Sequence, residues 1–169
     1  SSVERHAPQA EIVFDRFHIS KHLNDAVDKV RKTEHRELMK DGDTRLKGTR
    51  QLLLFTPEKL SKERAATLNA LQKEQLRTNR AWGLKDYFRW FWVEANAGAG
   101  REFFNHWYRW AIRSRLEPMK KVARTLKKHL DRILTWFRHR ITNSTAEGFN
   151  SRIQSIKANA RGFRSFANY

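Results

Sequence analysis

Along most of the chain, apolar side chains recur every three or four residues, the spacing that gathers them on one face of an α-helix. Over 20–38 that face is Leu23, Ala26, Val27 and Val30, with Ser20 standing where an N-cap belongs. The polar run KDGDTRLKGTR at 40–50 predicts a loop, and QLLLF at 51–55 is a short apolar segment of unassigned type. Thr56-Pro57 then opens a helical stretch over 56–77, with Leu60, Leu68 and Leu71 on one side. A further helix is expected over 79–95, carrying Trp82, Tyr87, Phe91 and Trp92. NAGAG at 96–100 breaks it, and the helical pattern resumes over 101–116 with Phe103, Phe104, Trp107, Trp110 and Ala111. Behind Pro118, the residues Met119, Val122, Leu126, Leu130, Ile133, Leu134 and Phe137 form the cleanest amphipathic stripe of the chain. A last helix runs from Ser144 or Thr145 to about Ala160 and ends at Gly162. The one departure from the helical period is Ile12-Val13-Phe14, a β-branched and aromatic run that predicts a short buried strand with Asp15 at its C-terminal end.

Composition narrows this picture. A length of 169 residues suits one domain with a sizeable core, and the 20 aromatic residues supply large buried areas despite a charged fraction of 31%. Cysteine is absent, which removes disulfides and thiolate metal sites. No apolar run approaches membrane-spanning length, so the expected compartment is a reducing cytoplasm and no membrane partner is expected.

Charge changes the picture more. Lys and Arg number 35 against 18 acids, a formal net charge of +17, which argues for a polyanionic partner. Residues 118–169 hold 12 basic and 2 acidic residues, so the positive charge concentrates in the C-terminal third. There the face opposite the apolar stripe carries Lys120, Lys121, Arg124, Lys127, Lys128 and Arg132, with Asp131 the acid exception. Such a run reads either as a solvated helix face or as a phosphate-binding surface.

Against that background Glu147 stands out as the last acid of the chain, followed by Arg152, Lys157, Arg161 and Arg164. Spacing by itself makes Ser144 and Glu147 a capping box. The alternative pairs Glu147 with Asp15, an acid held rigidly at a strand end. Two such carboxylates suit Mg²⁺ or Mn²⁺, which prefer oxygen ligands, and a pair of these ions serves phosphodiester chemistry. Asp15 also has a simpler reading, as a cap on the turn into the following helix. His18 and His22 lie at i, i+4, a spacing that can place two imidazoles on one ligand face. No Glu follows in the HExxH manner and no third ligand is evident, so His18 reads as a packing or phosphate-contacting residue near Asp15. Five of the six tryptophans fall within 82–110. Their helical spacing reads as core, with stacking on unpaired bases as the alternative.

Two segments, IVFDRFHISKHLNDAVDKVR at 12–31 and TNSTAEGFNSRIQSIKANARGFRSFANY at 142–169, resemble the ISL-three family of bacterial insertion-sequence transposases, of the DDE, RNase-H-like superfamily. Asp15-Arg16-Phe17-His18 matches the D-R-F-H that carries the second catalytic acid in that family. Thr142, Asn143, Glu147, Gly148 and Asn150 match the T-N-x-x-x-E-G-x-N around the third. The tail is approximated by Lys157, Ala160, Gly162, Phe163 and Arg164, and GDTRLKGTRQLLL at 42–54 extends the likeness loosely through the middle. The family's first aspartate has no counterpart, because only Glu4 and Glu11 precede Asp15 and neither has a suitable setting.

The resemblance implies a mainly α fold: a helical insertion domain at 24–141 flanked by remnants of an RNase-H-like core. Those remnants are one short strand within 1–23 and the third-acid helix at 142–169. It implies a C-terminal fragment of a transposase that cleaves and transfers DNA strands, with Asp15, Glu147 and an absent aspartate holding two divalent ions. The fragment itself is expected to be inactive. Lys120, Lys121, Arg124, Lys127, Lys128, Arg152, Lys157, Arg161 and Arg164 are expected to track double-stranded DNA, with His18, Asn143 and Asn150 in support. The active form is expected to be a homodimer or larger, in a bacterial cytoplasm. The rival reading is a non-catalytic helical nucleic-acid-binding module in which Glu147 is only a cap.

Overall fold

Asp15 caps the first of the described helices. The computed structural model describes residues 15–139, and every regular element among them is helical. The strand expected at 12–14 and the helix expected from Ser144 lie outside the described residues. Helix α1 spans Arg16–Lys40, and Asp15 Oδ1 accepts the first-turn amide of Phe17 at 2.8 Å. The expected N-cap at Ser20 is therefore one turn too late. An aspartate in extended backbone satisfies the orphan amides of the first turn as well as serine does, so the simpler reading of Asp15 as a cap on the following helix holds.

The buried face of α1 is Ile19, Leu23, Ala26, Val27 and Val30, close to the expected one. It continues into Glu34, whose carboxylate is buried because it performs a specific task. Oε1 accepts the amide of Arg77 at 2.8 Å, and Oε2 accepts the amide and hydroxyl of Thr78 at 2.7 and 2.6 Å. Those amides begin helix α4 (Arg77–Phe88), whose own N-cap residue, Leu76, has no side chain that can cap. Glu34 thus caps α4 from α1 and joins the two helices.

After α1 the chain turns at Gly42, which takes the left-handed φ of 74° that glycine tolerates without strain. The QLLLF segment resolves as a short helix α2 (Arg50–Leu54) burying Leu52 and Leu53. The single helix expected over 56–77 is divided. A 3₁₀ turn at Pro57–Lys59 precedes Ser61, which caps helix α3 (Lys62–Gln72), and the chain breaks before α4. The run KEQL at 73–76 has no glycine or proline, so nothing local announces the break. Its stop is stabilised by tertiary partners: Asn79 Nδ2 donates to the carbonyls of Leu71 and Glu74. Helix α4 ends at Phe88, and a 3₁₀ turn (Arg89–Val93) replaces the rest of the helix expected over 79–95.

The NAGAG segment also corrects the sequence reading. It begins the next helix, α5 (Ala97–Arg113), with Asn96 Oδ1 accepting the amide of Ala99 at 3.0 Å. Glycine inside this helix serves packing. A methyl at Gly100 would lie 2.5 Å from the Phe137 ring. A tight turn with Arg115 at φ 59° leads to α6 (Glu117–Lys128), which carries Pro118 in its first turn. The long amphipathic stripe behind Pro118 is interrupted at His129, giving α7 (Leu130–Leu134) and α8 (Trp136–His139).

Helix α1 packs on α4 and α6, and α5 packs on the same two, so these four helices close a ring. Its centre holds Val27, Leu84, Phe88, Phe91, Phe104, Trp107, Met119 and Ile133, all essentially inaccessible to solvent. Phe88 meets Phe91 and Trp107 with ring centroids 5.2 and 4.7 Å apart, and Trp107 Nε1 donates to the Leu84 carbonyl at 2.9 Å. That bond satisfies the Trp107 indole N–H, whereas the buried indole N–H groups of Trp82 and Trp136 have no hydrogen-bond partner among the described residues.

Candidate functional site

The two ends of α1 have different chemistry. At the start, Asp15 combines a cap with a second contact: its Oδ2 lies 2.6 Å from His18 Nδ1. The Asp15 side chain is 17% exposed and that of His18 is 69% exposed, so the imidazole is no packing residue but an outer partner of the carboxylate. Both carboxylate oxygens are thereby oriented by short local bonds, one to a backbone N–H and one to a ring nitrogen. A carboxylate is a hard oxygen donor of the kind that divalent ions such as Mg²⁺ and Mn²⁺ prefer, so the donor chemistry of Asp15 fits the ions expected at this position. Among the described residues no three His, Cys, Asp or Glu side chains group closely enough to hold a metal. Glu147, Asn143 and Asn150 lie outside the described residues, as do Arg152, Lys157, Arg161 and Arg164.

Beside Asp15, the first turns of α1 meet α4 around a buried amine. Lys85 is 7% exposed, and its Nζ donates to the carbonyls of Leu53 and Leu54 at 2.5 and 3.3 Å, at the end of α2. Burial pushes its pKa down to about 8. Arg16, Ser20, Asn24 and Arg89 line a small cleft against it. Lys85 was not foreseen as special, since one lysine on a helix gives no signal until its neighbours are known.

The basic face expected on α6 is present but partly neutralised. Glu117 receives Lys120 and Arg124, each at 2.9 Å, and these two donors hold its carboxyl below the usual range despite its exposure. Lys127 lies over the Tyr108 ring at 4.5 Å. Lys121 and Lys128 are exposed and make no ion pair among the described residues. Glu117 and Lys120 stand at i, i+3, a spacing at which helix side chains can pair. Lys121 and Thr125 also line a groove of about 410 Å³ between α6 and α1, together with His22 and Lys29. His22 therefore faces α6 rather than sharing a ligand site with His18.

Trp92 and Trp107 are buried, as the core reading of the aromatics expects, whereas Trp90 and Trp110 are 54% and 43% exposed. No helix among the described residues is long and apolar enough to cross a membrane.

The family model for ISL3-type DDE proteins, described as transposase, matches residues 1–169. The chain belongs to this transposase family. It is 33% identical over 165 residues to the transposase for insertion sequence element IS1001 of Bordetella parapertussis, covering 96% of this chain and 41% of that protein. It is 31% identical over 121 residues to the transposase for IS1557 of Mycobacterium tuberculosis, covering 72% of this chain and 27% of that protein. The chain therefore spans less than half the length of these relatives. No solved structure matches it.

Proposed function

We propose that this transposase chain contributes two acids, Asp15 and Glu147, to a metal-dependent centre that cleaves and transfers DNA strands. The match of the transposase family across the whole chain carries this reading, together with the anchored geometry of Asp15 in its D-R-F-H segment. Asp15 supplies a carboxylate fixed at the head of a 25-residue helix, so its position is tied to the whole helical body rather than to a loop. His18 orients Oδ2 from the solvent side. Mg²⁺ or Mn²⁺ ions held by these acids would activate the attacking oxygen and stabilise the leaving one. A third acid belongs ahead of Asp15, where neither Glu4 nor Glu11 has a suitable setting, so the chain alone is proposed to bind DNA without cutting it.

In this reading the helices at 24–141 form an insertion domain. Its exposed cations, Lys121, Lys128 and Lys127 foremost, meet the DNA backbone, aided by Arg152, Lys157, Arg161 and Arg164. Lys120 and Arg124 serve first to hold Glu117 and contribute less. Asn143 and Asn150 flank Glu147 and orient it or reach phosphate. The partner is double-stranded DNA at the element's ends and at the target, and the active assembly is a homodimer or larger in the bacterial cytoplasm.

A strand-transfer assay with the full-length transposase tests the site. Glu147→Gln keeps shape and removes the charge, so activity should fall at least a hundredfold. Activity within threefold of the parent would take Glu147 out of the metal site and leave the alternative, a non-catalytic helical nucleic-acid-binding module. Duplex affinity of the chain should fall steeply with salt, because each phosphate contact releases a counterion. A flat salt response would remove the backbone-tracking role.

A further inference from the structure

The exposed aromatics on α4 and α5 form one surface. Tyr87 stacks on Phe103 with centroids 5.0 Å apart and meets Trp110 edge-on at 5.7 Å. Gly83, one turn before Tyr87, lies under the far edge of the Trp110 ring. Tyr87 and Trp110 remain 37% and 43% exposed, and neither ring is needed to close the core. Helical geometry continues the two stripes in the same direction. On α4, Arg80 precedes Gly83 by one turn, and on α5, Arg113 follows Trp110 by one turn. The two ends meet, since Arg80 Nη1 lies 3.4 Å from the carbonyl of Ser114, the residue after Arg113. Both arginines are exposed and make no ion pair among the described residues. The nearest acid on the α5 side, Glu102, sits eight residues before Trp110, roughly 12 Å along the helix.

We propose that this surface is a binding site for unpaired DNA bases, with a base stacked on Trp110 beside Tyr87 and the adjoining phosphate held by Arg80 and Arg113. Flat aromatic faces next to guanidinium groups that carry no ion pair are the two elements that single-stranded nucleic acid requires, and such stacking tolerates any base. Local charge selects this occupant, because Arg80 and Arg113 flank the rings with no ion pair among the described residues and so attract a polyanion to this face. The site lies apart from the basic face of α6 and from Asp15. It rests on the reading of the chain as a DNA-handling transposase, and it adds recognition of strands that are open rather than paired.

Binding of a dT12 oligonucleotide and of a blunt duplex of equal length, measured for the chain by fluorescence anisotropy at fixed moderate salt, tests it. Trp110→Ala should weaken dT12 binding about tenfold, as expected for loss of one stacked base, and leave duplex binding within twofold. Trp110→Phe should restore most of the affinity, and Arg113→Gln should weaken dT12 binding and lower its salt dependence. Circular dichroism melting establishes that each variant is folded. Equal losses for both DNAs, or no loss for either, would overturn the proposal while leaving the reading of the chain as DNA-binding in place. Absence of all DNA binding at low salt would remove the underlying DNA reading as well. A dimer in sedimentation that dissociates on Trp110→Ala would reassign the surface to protein self-association.

Discussion

Removing the carboxylate of Glu34 should be among the most destabilising single changes available in the helical body. Glu34 is 6% exposed, and its two oxygens accept three hydrogen bonds from Arg77 and Thr78 at 2.6–2.8 Å. Glu34→Ala leaves the Thr78 amide and hydroxyl without an acceptor in a place where Thr78 has no solvent contact. Hydrogen bonds to a charged group contribute about 1.5–3 kcal/mol each, and a lost helix cap costs about 1–2 kcal/mol. These losses overlap because they share one acceptor, so the expected total is about 3–4 kcal/mol, a large part of a domain's net stability. Glu34→Gln separates geometry from charge. Its single oxygen can keep both Thr78 bonds while its amide faces the Arg77 N–H, so about half of the loss is expected. Urea unfolding followed by tryptophan fluorescence gives both values, with an unchanged denaturant slope showing that the folded state is retained. A loss below 1 kcal/mol for Glu34→Ala would refute the cap, and equal losses for the two variants would refute the accounting of its two oxygens.

Other outcomes follow from the same contacts. Asn caps helices as well as Asp does, so Asp15→Asn should change stability by less than about 0.5 kcal/mol while abolishing strand transfer by the full-length transposase, and Asp15→Ala should lose about 1 kcal/mol as well. If Asp15→Asn keeps its activity, Asp15 is a cap and nothing more. Gly100→Ala drives a methyl into the buried Phe137 ring and should destabilise by about 1–3 kcal/mol, although alanine normally favours a helix; a stabilised variant in thermal melting would contradict that packing. Lys85 has its pKa lowered to about 8 by burial. Above that pH the folded protein holds fewer protons than the unfolded chain, so this group makes stability rise between about pH 8 and 10.5, by up to about 3 kcal/mol. Urea midpoints measured across pH 7.5–10 should rise less steeply for Lys85→Met than for the parent, and equal slopes would mean that the amine is not desolvated.

The sequence by itself determined the helical class, the apolar faces of α1 and α6, the location of positive charge and the family, because each is written in contiguous residues. A period of three to four reports a helix face wherever the chain ends up, and D-R-F-H and the EG-containing motif are local strings. What was not legible depends on residues far apart. The break before α4 follows from Glu34, which caps it across an interval of 43 residues. The interruption of α6 at His129 left the amphipathic stripe intact, so periodicity could not show it. Tryptophans that all fall in stretches read as helix divide into the buried Trp92 and Trp107 and the exposed Trp90 and Trp110, since a helical pattern names a face and not what covers it. The basic face likewise lost Lys120 and Arg124 to Glu117 only once rotamers were in place. At the candidate centre, the sequence singled out Asp15, and its described contacts are local ones within one turn, the Phe17 amide on one oxygen and His18 on the other. Local pattern encodes which side chains can be buried or charged, whereas burial, capping and pairing are energies between partners that only the fold brings within reach.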